Sequence, residues 1–204
     1  MEFIIAIFIF SASATVTPGP NNIMILASGL NFGTLKSLPH YLGICIGFPI
    51  MVLLIGLGFG FIFERFPLAH TYIRVIGIFY LVFLSWKIAT SAPNSLTSKE
   101  GTPFSFLQAV LFQWVNPKAW IMATSAVAAF TSGSADILIQ VLVIALTFMI
   151  VAFPCTGLWL FFGVWLKKIF NTPSHQRAFN IVMAILLLLS ITPVTYDLIK
   201  EFIN

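Results

Sequence analysis

The chain alternates long apolar runs with a few short polar or proline-containing interruptions. Runs of about 20 apolar residues, the length that crosses a bilayer core, fall at roughly 3–30, 38–63, 68–90, 104–130, 136–166 and 178–199. They predict six helices that use nearly the whole sequence. Inside the first run, Val16-Thr17-Pro18-Gly19-Pro20-Asn21-Asn22 cannot continue a helix, because each proline lacks an N–H and its ring clashes with the preceding turn. Val115-Asn116-Pro117-Lys118 interrupts the fourth run in the same way. In hydrocarbon, an opened helix is tolerated only where its backbone is buried in protein or lines a water-filled cavity. Two such breaks predict a site in the middle of the molecule.

The remaining punctuation divides the chain into two units. Asn31-Phe32-Gly33-Thr34 predicts a short turn, and Pro49 a kink in the second helix, whose Gly43, Gly47, Gly56, Gly58 and Gly60 predict close packing. Residues 91–103, rich in Ser, Pro, Asn and Gly, predict a linker. Residues 171–177 predict a polar turn with a solvated His175, and Pro193 a bend or end in the sixth helix. Repeat one covers about 1–90 and repeat two about 104–204, each with a broken helix, a helix with a central proline (Pro49, Pro154) and an unbroken helix. Three helices is an odd number, so the second unit enters the membrane from the opposite side. The expected fold is an all-α polytopic membrane protein. Its six transmembrane helices form two inverted three-helix repeats, with the first and fourth helices broken, in one domain over 1–204.

Composition agrees. With 59% hydrophobic and 8% charged residues, against about 25% charged in a soluble domain, there is too little polar surface for a water-soluble fold. The net charge of +4 does not point to nucleic acid, because the basic residues are scattered over helix ends. With the N-terminus outside, Lys36, Lys87, Lys99, Lys167, Lys168 and Arg177 fall inside and Arg65, Arg74 and Lys200 outside. The positive-inside rule then puts both termini outside. Phe3 to Phe10 resembles the apolar core of a signal peptide, but the basic leader is missing and the pattern resumes after Asn22; a retained helix is expected.

No enzyme is expected. The six acids (Glu2, Glu64, Glu100, Asp136, Asp197, Glu201) lie at helix ends or in loops, the three histidines are dispersed, and no phosphate loop, HExxH or nucleophile motif is present. No cofactor or metal is expected. The breaks supply what recognises a zwitterion: amides of restarted helices for an anion, and freed carbonyls with Asn21, Asn22, Gln113 and Asn116 for an ammonium. Lys118, about a dozen apolar residues from either end of its run, is costly to bury alone. It either reaches the carbonyls freed at the break or contacts a substrate carboxylate or coupling ion. Lys87 snorkels to headgroups or turns inward, and Lys118, Lys87 and His40 are the titratable groups available for proton coupling.

TPGPNN in the first helix, YLVFLSWKIA at the end of the third and NPKA in the fourth resemble, in order and spacing, the LysE/RhtB family of bacterial amino-acid exporters. The resemblance implies a proton-driven secondary transporter of the cytoplasmic (inner) membrane that moves amino acids or their derivatives outward, as a homo-oligomer (dimer). It makes Pro18, Gly19, Pro20, Asn21, Asn22, Asn116, Pro117 and Lys118 the site residues. WKIATS is similar to the branch exporting neutral amino acids such as cysteine and O-acetylserine. Two other readings remain open on the residues. One is a membrane thiol-disulfide electron carrier using Cys45 and Cys155, which fall in corresponding helices of the two halves; the other is a channel or structural bundle.

Overall fold

Proline is welcome as the first residue of a helix, where its missing N–H has no partner to lose and its φ is already helical. Four helices of this chain start on one: Pro20, Pro67, Pro117 and Pro173. The computed structural model describes residues 2–59, 65–91, 102–132, 136–170 and 172–203. Among these there are seven α-helices and no strand: α1 (Glu2–Val16), α2 (Pro20–Leu54, continued by a π-helical turn, Ile55–Phe59), α3 (Pro67–Ala89), α4 (Phe106–Val115), α5 (Pro117–Phe130), α6 (Ile137–Ile169) and α7 (Pro173–Ile203). Four stretches are long and apolar enough to cross a membrane: Pro20–Gly58, Thr71–Ala89, Ile137–Ile169 and Pro173–Lys200.

The first of these is two elements. At 1.5 Å per residue, 35 residues would extend about 52 Å, well beyond a bilayer core of about 30 Å. Gly33 interrupts the helix with φ 77° and ψ 178°. Ser28 Oγ then lies 2.9 Å from His40 Nδ1, whereas twelve residues of straight helix would separate them by about 18 Å. Ile25 and Ile44 likewise share one buried cluster. The helix is a hairpin, with Gly33 at its tip and a limb on either side. A Cβ on Gly33 would meet nothing within 4 Å, so the residue is needed for its backbone conformation and not for packing.

The breaks predicted from the prolines are both present. α1 ends at Val16 and α2 starts at Pro20; α4 ends at Val115 and α5 starts at Pro117. At its far end the second predicted helix departs from expectation. Its α-helical part stops at Leu54 and Gly58 takes φ 100°, while residues 60–64 lie outside the described residues, as do 92–101 of the expected linker. The turn expected at 171–177 is largely the start of α7, which begins on Pro173 and carries His175 and Arg177 in its first turns. Pro193 does not end that helix, which continues to Ile203.

The two breaks lie between two core clusters. One gathers Ile7 of α1, Phe48 and Met51 of the second hairpin limb, Trp120 and Ala123 of α5, and Ile144 and Phe148 of α6. The other gathers Ile23 and Leu26 of the first limb, Leu81 and Leu84 of α3, Phe112 of α4 and Met183 and Leu187 of α7. The chain therefore passes from the first core to the second at the α1–α2 break, and from the second to the first at the α4–α5 break. Backbone contact locks the first limb to α6: a side chain at Gly29 would strike the Leu160 carbonyl, and one at Gly163 the Leu26 carbonyl.

The Gly33 backbone lies in a region that only glycine occupies without strain. Gly33→Ala is expected to destabilise the protein by about 1–3 kcal/mol, read as a lowered thermal midpoint in detergent. Leu189→Ala, at a residue 60% exposed, is expected to change it by less than about 0.5 kcal/mol. Equal midpoints for the two variants would contradict the hairpin.

Candidate functional site

Pro18 and Pro20 remove two N–H donors, so the carbonyls at the end of α1 need other partners, and each has one. Asn22 Nδ2 donates to Thr15 O at 2.7 Å and to Thr17 O at 2.8 Å. Trp159 Nε1 of α6 donates to Val16 O at 3.1 Å. Lys118 Nζ, from the other break, donates to Thr17 O at 2.7 Å, to Thr17 Oγ1 at 2.7 Å and to Pro18 O at 3.2 Å. Gly19 admits this lysine: a Cβ there would lie 2.5 Å from Lys118 Cδ.

The second break is satisfied from its own residues and from the first. Asn116, 2% exposed, accepts the Lys118 N–H on its side-chain oxygen at 3.1 Å and so caps α5. Trp120 Nε1 donates to Trp114 O at 2.8 Å. Gln113, fully buried, donates to Ala109 O at 2.9 Å and to Asn21 Oδ1 at 3.2 Å, while Asn21 Nδ2 donates to Gln113 Oε1 at 2.8 Å. That reciprocal amide pair and the Lys118 ammonium join the two breaks directly. α2 itself begins without a side-chain cap, so the amides of its first turn are the uncapped positive end of the site.

Asn21, Asn22, Gly19, Asn116 and Lys118 line a cavity of about 30 Å³, room for one or two waters. Thr15 and Thr156 also line it; both hydroxyls are buried with no hydrogen-bond partner, and the Cys45 thiol lies beside Thr156. Sequence reasoning missed Thr15, Thr17, Thr156 and Trp159. Thr15 and Thr17 flank the first proline motif, and Thr156 follows Pro154 by two residues, so each was marked by a nearby break or proline in an apolar run. Trp159 carried no such mark.

Of the predicted site residues, Pro18, Gly19, Asn21, Asn22, Gln113, Asn116 and Lys118 meet at one point, framed by the helix-starting Pro20 and Pro117. Of the two roles open to Lys118, this conformation shows the contact with freed carbonyls. Lys87 is elsewhere, lining a second cavity with Ser28, Asn31 and His40. Cys45 and Cys155 are free thiols.

If the amide pair joins the breaks, Asn21→Ala and Gln113→Ala will not be additive. A double-mutant cycle on thermal stability in detergent is expected to return a coupling of about 1 kcal/mol. Full additivity would contradict the contact.

The sequence model of the LysE type translocator matches residues 12–191. The cysteine/O-acetylserine efflux protein of Escherichia coli strain K12 is 30% identical over 183 residues, covering 89% of this chain and 92% of that protein. The protein of the same name from Shigella sonnei strain Ss046 matches equally, and that of Escherichia coli O139:H28 is 29% identical over 184 residues, or 90% of this chain and 92% of its own. No solved structure matches the chain. A match over most of the length, spanning both breaks, establishes that the chain belongs to the LysE type translocators.

Proposed function

We propose that this translocator exports small neutral amino acids, with cysteine and O-acetylserine, for which its relatives are named, as the first candidates. The observation that carries the reading is the Lys118 ammonium seated on the Thr17 and Pro18 carbonyls. A substrate's own ammonium is the same chemical group and fits the same oxygens. When it takes them, Lys118 is released to pair with the substrate carboxylate, which also meets the uncapped amides of α2. The pocket exchanges one internal ammonium for one external zwitterion, so no charge is left unpaired at mid-depth. Leaving the buried oxygens empty would cost about 1–3 kcal/mol for each unpaired group.

The transport cycle follows from the architecture we assign. Six crossings result if the hairpin counts as two, α3, α6 and α7 as one each, and α1 with the first limb, like α4 with α5, as a single broken crossing. The opposite passage of the two broken helices between the cores supports two inverted three-helix repeats. The basic groups support an orientation with both termini outside the inner membrane. Lys36 lies near Lys167, Lys87 lines a cavity with Asn31, and Asn31 bonds to Asn180, one turn beyond Arg177. All these charges thus belong at the hairpin-tip end, which becomes the cytoplasmic side. A cavity of about 30 Å³ is too small for an amino acid, so the repeats must rock apart to admit one. The proton motive force drives the cycle, with Lys118 as the mid-depth titratable group, and the protein works as a homo-oligomer (dimer). The electron-carrier reading has no similar support, since the relatives are named for efflux.

Vesicles loaded with labelled O-acetylserine, cysteine, arginine or glutamate test this. Wild-type protein is expected to release the neutral pair saturably, and Lys118→Met to lower the rate at least about a hundredfold, the loss of some 2.7 kcal/mol of binding-linked stabilisation, while inserting normally. Full efflux by Lys118→Met, or no preference for the neutral amino acids, would overturn the reading.

A further inference from the structure

The second cavity, of about 80 Å³, lies at the hairpin tip and belongs to no part of the exchange just described. Its polar lining comes from Ser28, Asn31 and His40 of α2, from Lys87 of α3 and Ser91 just after it, and from Thr102. His40 is 1% exposed. Its Nδ1 is 2.9 Å from Ser28 Oγ, its ring centroid is 5.2 Å from that of Phe104, and its Nε2 is buried with no partner. In the tautomer in which Ser28 donates to Nδ1, the imidazole hydrogen sits on Nε2 as a donor without a partner. Lys87 adds an ammonium, and among the described residues no carboxylate lines the cavity to oppose it.

Such a cavity is incomplete in one particular respect. Its described lining holds hydrogen-bond donors and a positive charge without an anion, and a buried donor without a partner is costly enough that few persist without a role. The complementary group is small and anionic, and a carboxylate accepts from an ammonium and an imidazole N–H at once. The cavity also stands on the exporter's route. Ser28 and Asn31 are on the same limb as Asn21 and Asn22, about 9–15 Å further along it.

We propose that this cavity is a carboxylate-binding station on the cytoplasmic side, where Lys87 and His40 receive the carboxylate of a small amino acid before it passes to the break site. The assignment of side and cargo rests on the export reading; the carboxylate site itself does not. Ser28 fixes the His40 ring, and Phe104 closes one of its faces.

The test uses the full chain with isotope-labelled histidine in maltoside detergent, which contains no phosphate, and follows the His40 ring signals by NMR. Propionate and O-acetylserine are expected to shift them saturably, and propionamide, which lacks the charge, is not. Lys87→Gln is expected to weaken the response at least about tenfold, as the loss of one charge-assisted hydrogen bond requires, and to raise the half-saturating internal O-acetylserine for efflux by a similar factor. An unmoved His40, an equal response to propionamide or inorganic phosphate, or a response indifferent to Lys87→Gln would overturn the station. Efflux with a silent His40 removes the station and leaves the exporter; a carboxylate response in a protein that releases no amino acid keeps the site and removes the exporter.

Discussion

Four carbonyls, from Thr15 to Pro18, set the terms for the rest of this structure. They are freed because the prolines end the helix, whose last carbonyls then have no amide four residues on to pair with, and they lie where two apolar cores meet. Unpaired there, each would cost free energy comparable to a lost hydrogen bond. The molecule brings three side chains to them: Asn22 from the restarted helix, Trp159 from α6 and Lys118 from the opposite break. Gly19, Asn21 and Gln113 matter because they let Lys118 approach and hold the two breaks together. On the proposal made above, what stabilises the fold is the same set of contacts that a zwitterion replaces.

This overlap explains why the site is both polar and closed. A permanently open cluster of carbonyls and amides would hydrate and disturb the packing around it. The internal ammonium keeps it paired with space for only a water or two, and the reading offered here is that substrate and Lys118 compete for the same oxygens. Family membership supports the cargo class through the names of the relatives, while the mechanism is argued from this chain's own geometry.

Much of the fold could be read from the sequence because proline and glycine act locally. Pro18, Pro20 and Pro117 mark both breaks, and Gly33 marks the hairpin tip, through the conformations that they forbid or allow. The same local logic misjudged Pro173, which starts α7 within the expected turn, and of the bend or end expected at Pro193 the end is absent. The site was legible in its residues and not in its pairings. That Lys118 would reach Thr17, 101 positions away, that Asn21 would face Gln113, and that Trp159 would serve Val16 depend on how helices approach, and that is set by contacts such as Gly29 on Leu160 and Gly163 on Leu26. Lys118 already stood apart from Lys87 by its depth within an apolar run, and the two line different cavities. The pairing of His40 with Ser28 became visible only once the hairpin was folded.

The central claim is that substrate and Lys118 share the carbonyls of the first break, and an experimental structure with O-acetylserine bound tests it most directly. The account predicts the ligand ammonium within hydrogen-bond distance of the Thr17 and Pro18 oxygens, with Lys118 turned from them to the ligand carboxylate. A bound ligand lying elsewhere, with Lys118 Nζ still on Thr17 and Pro18, would contradict it.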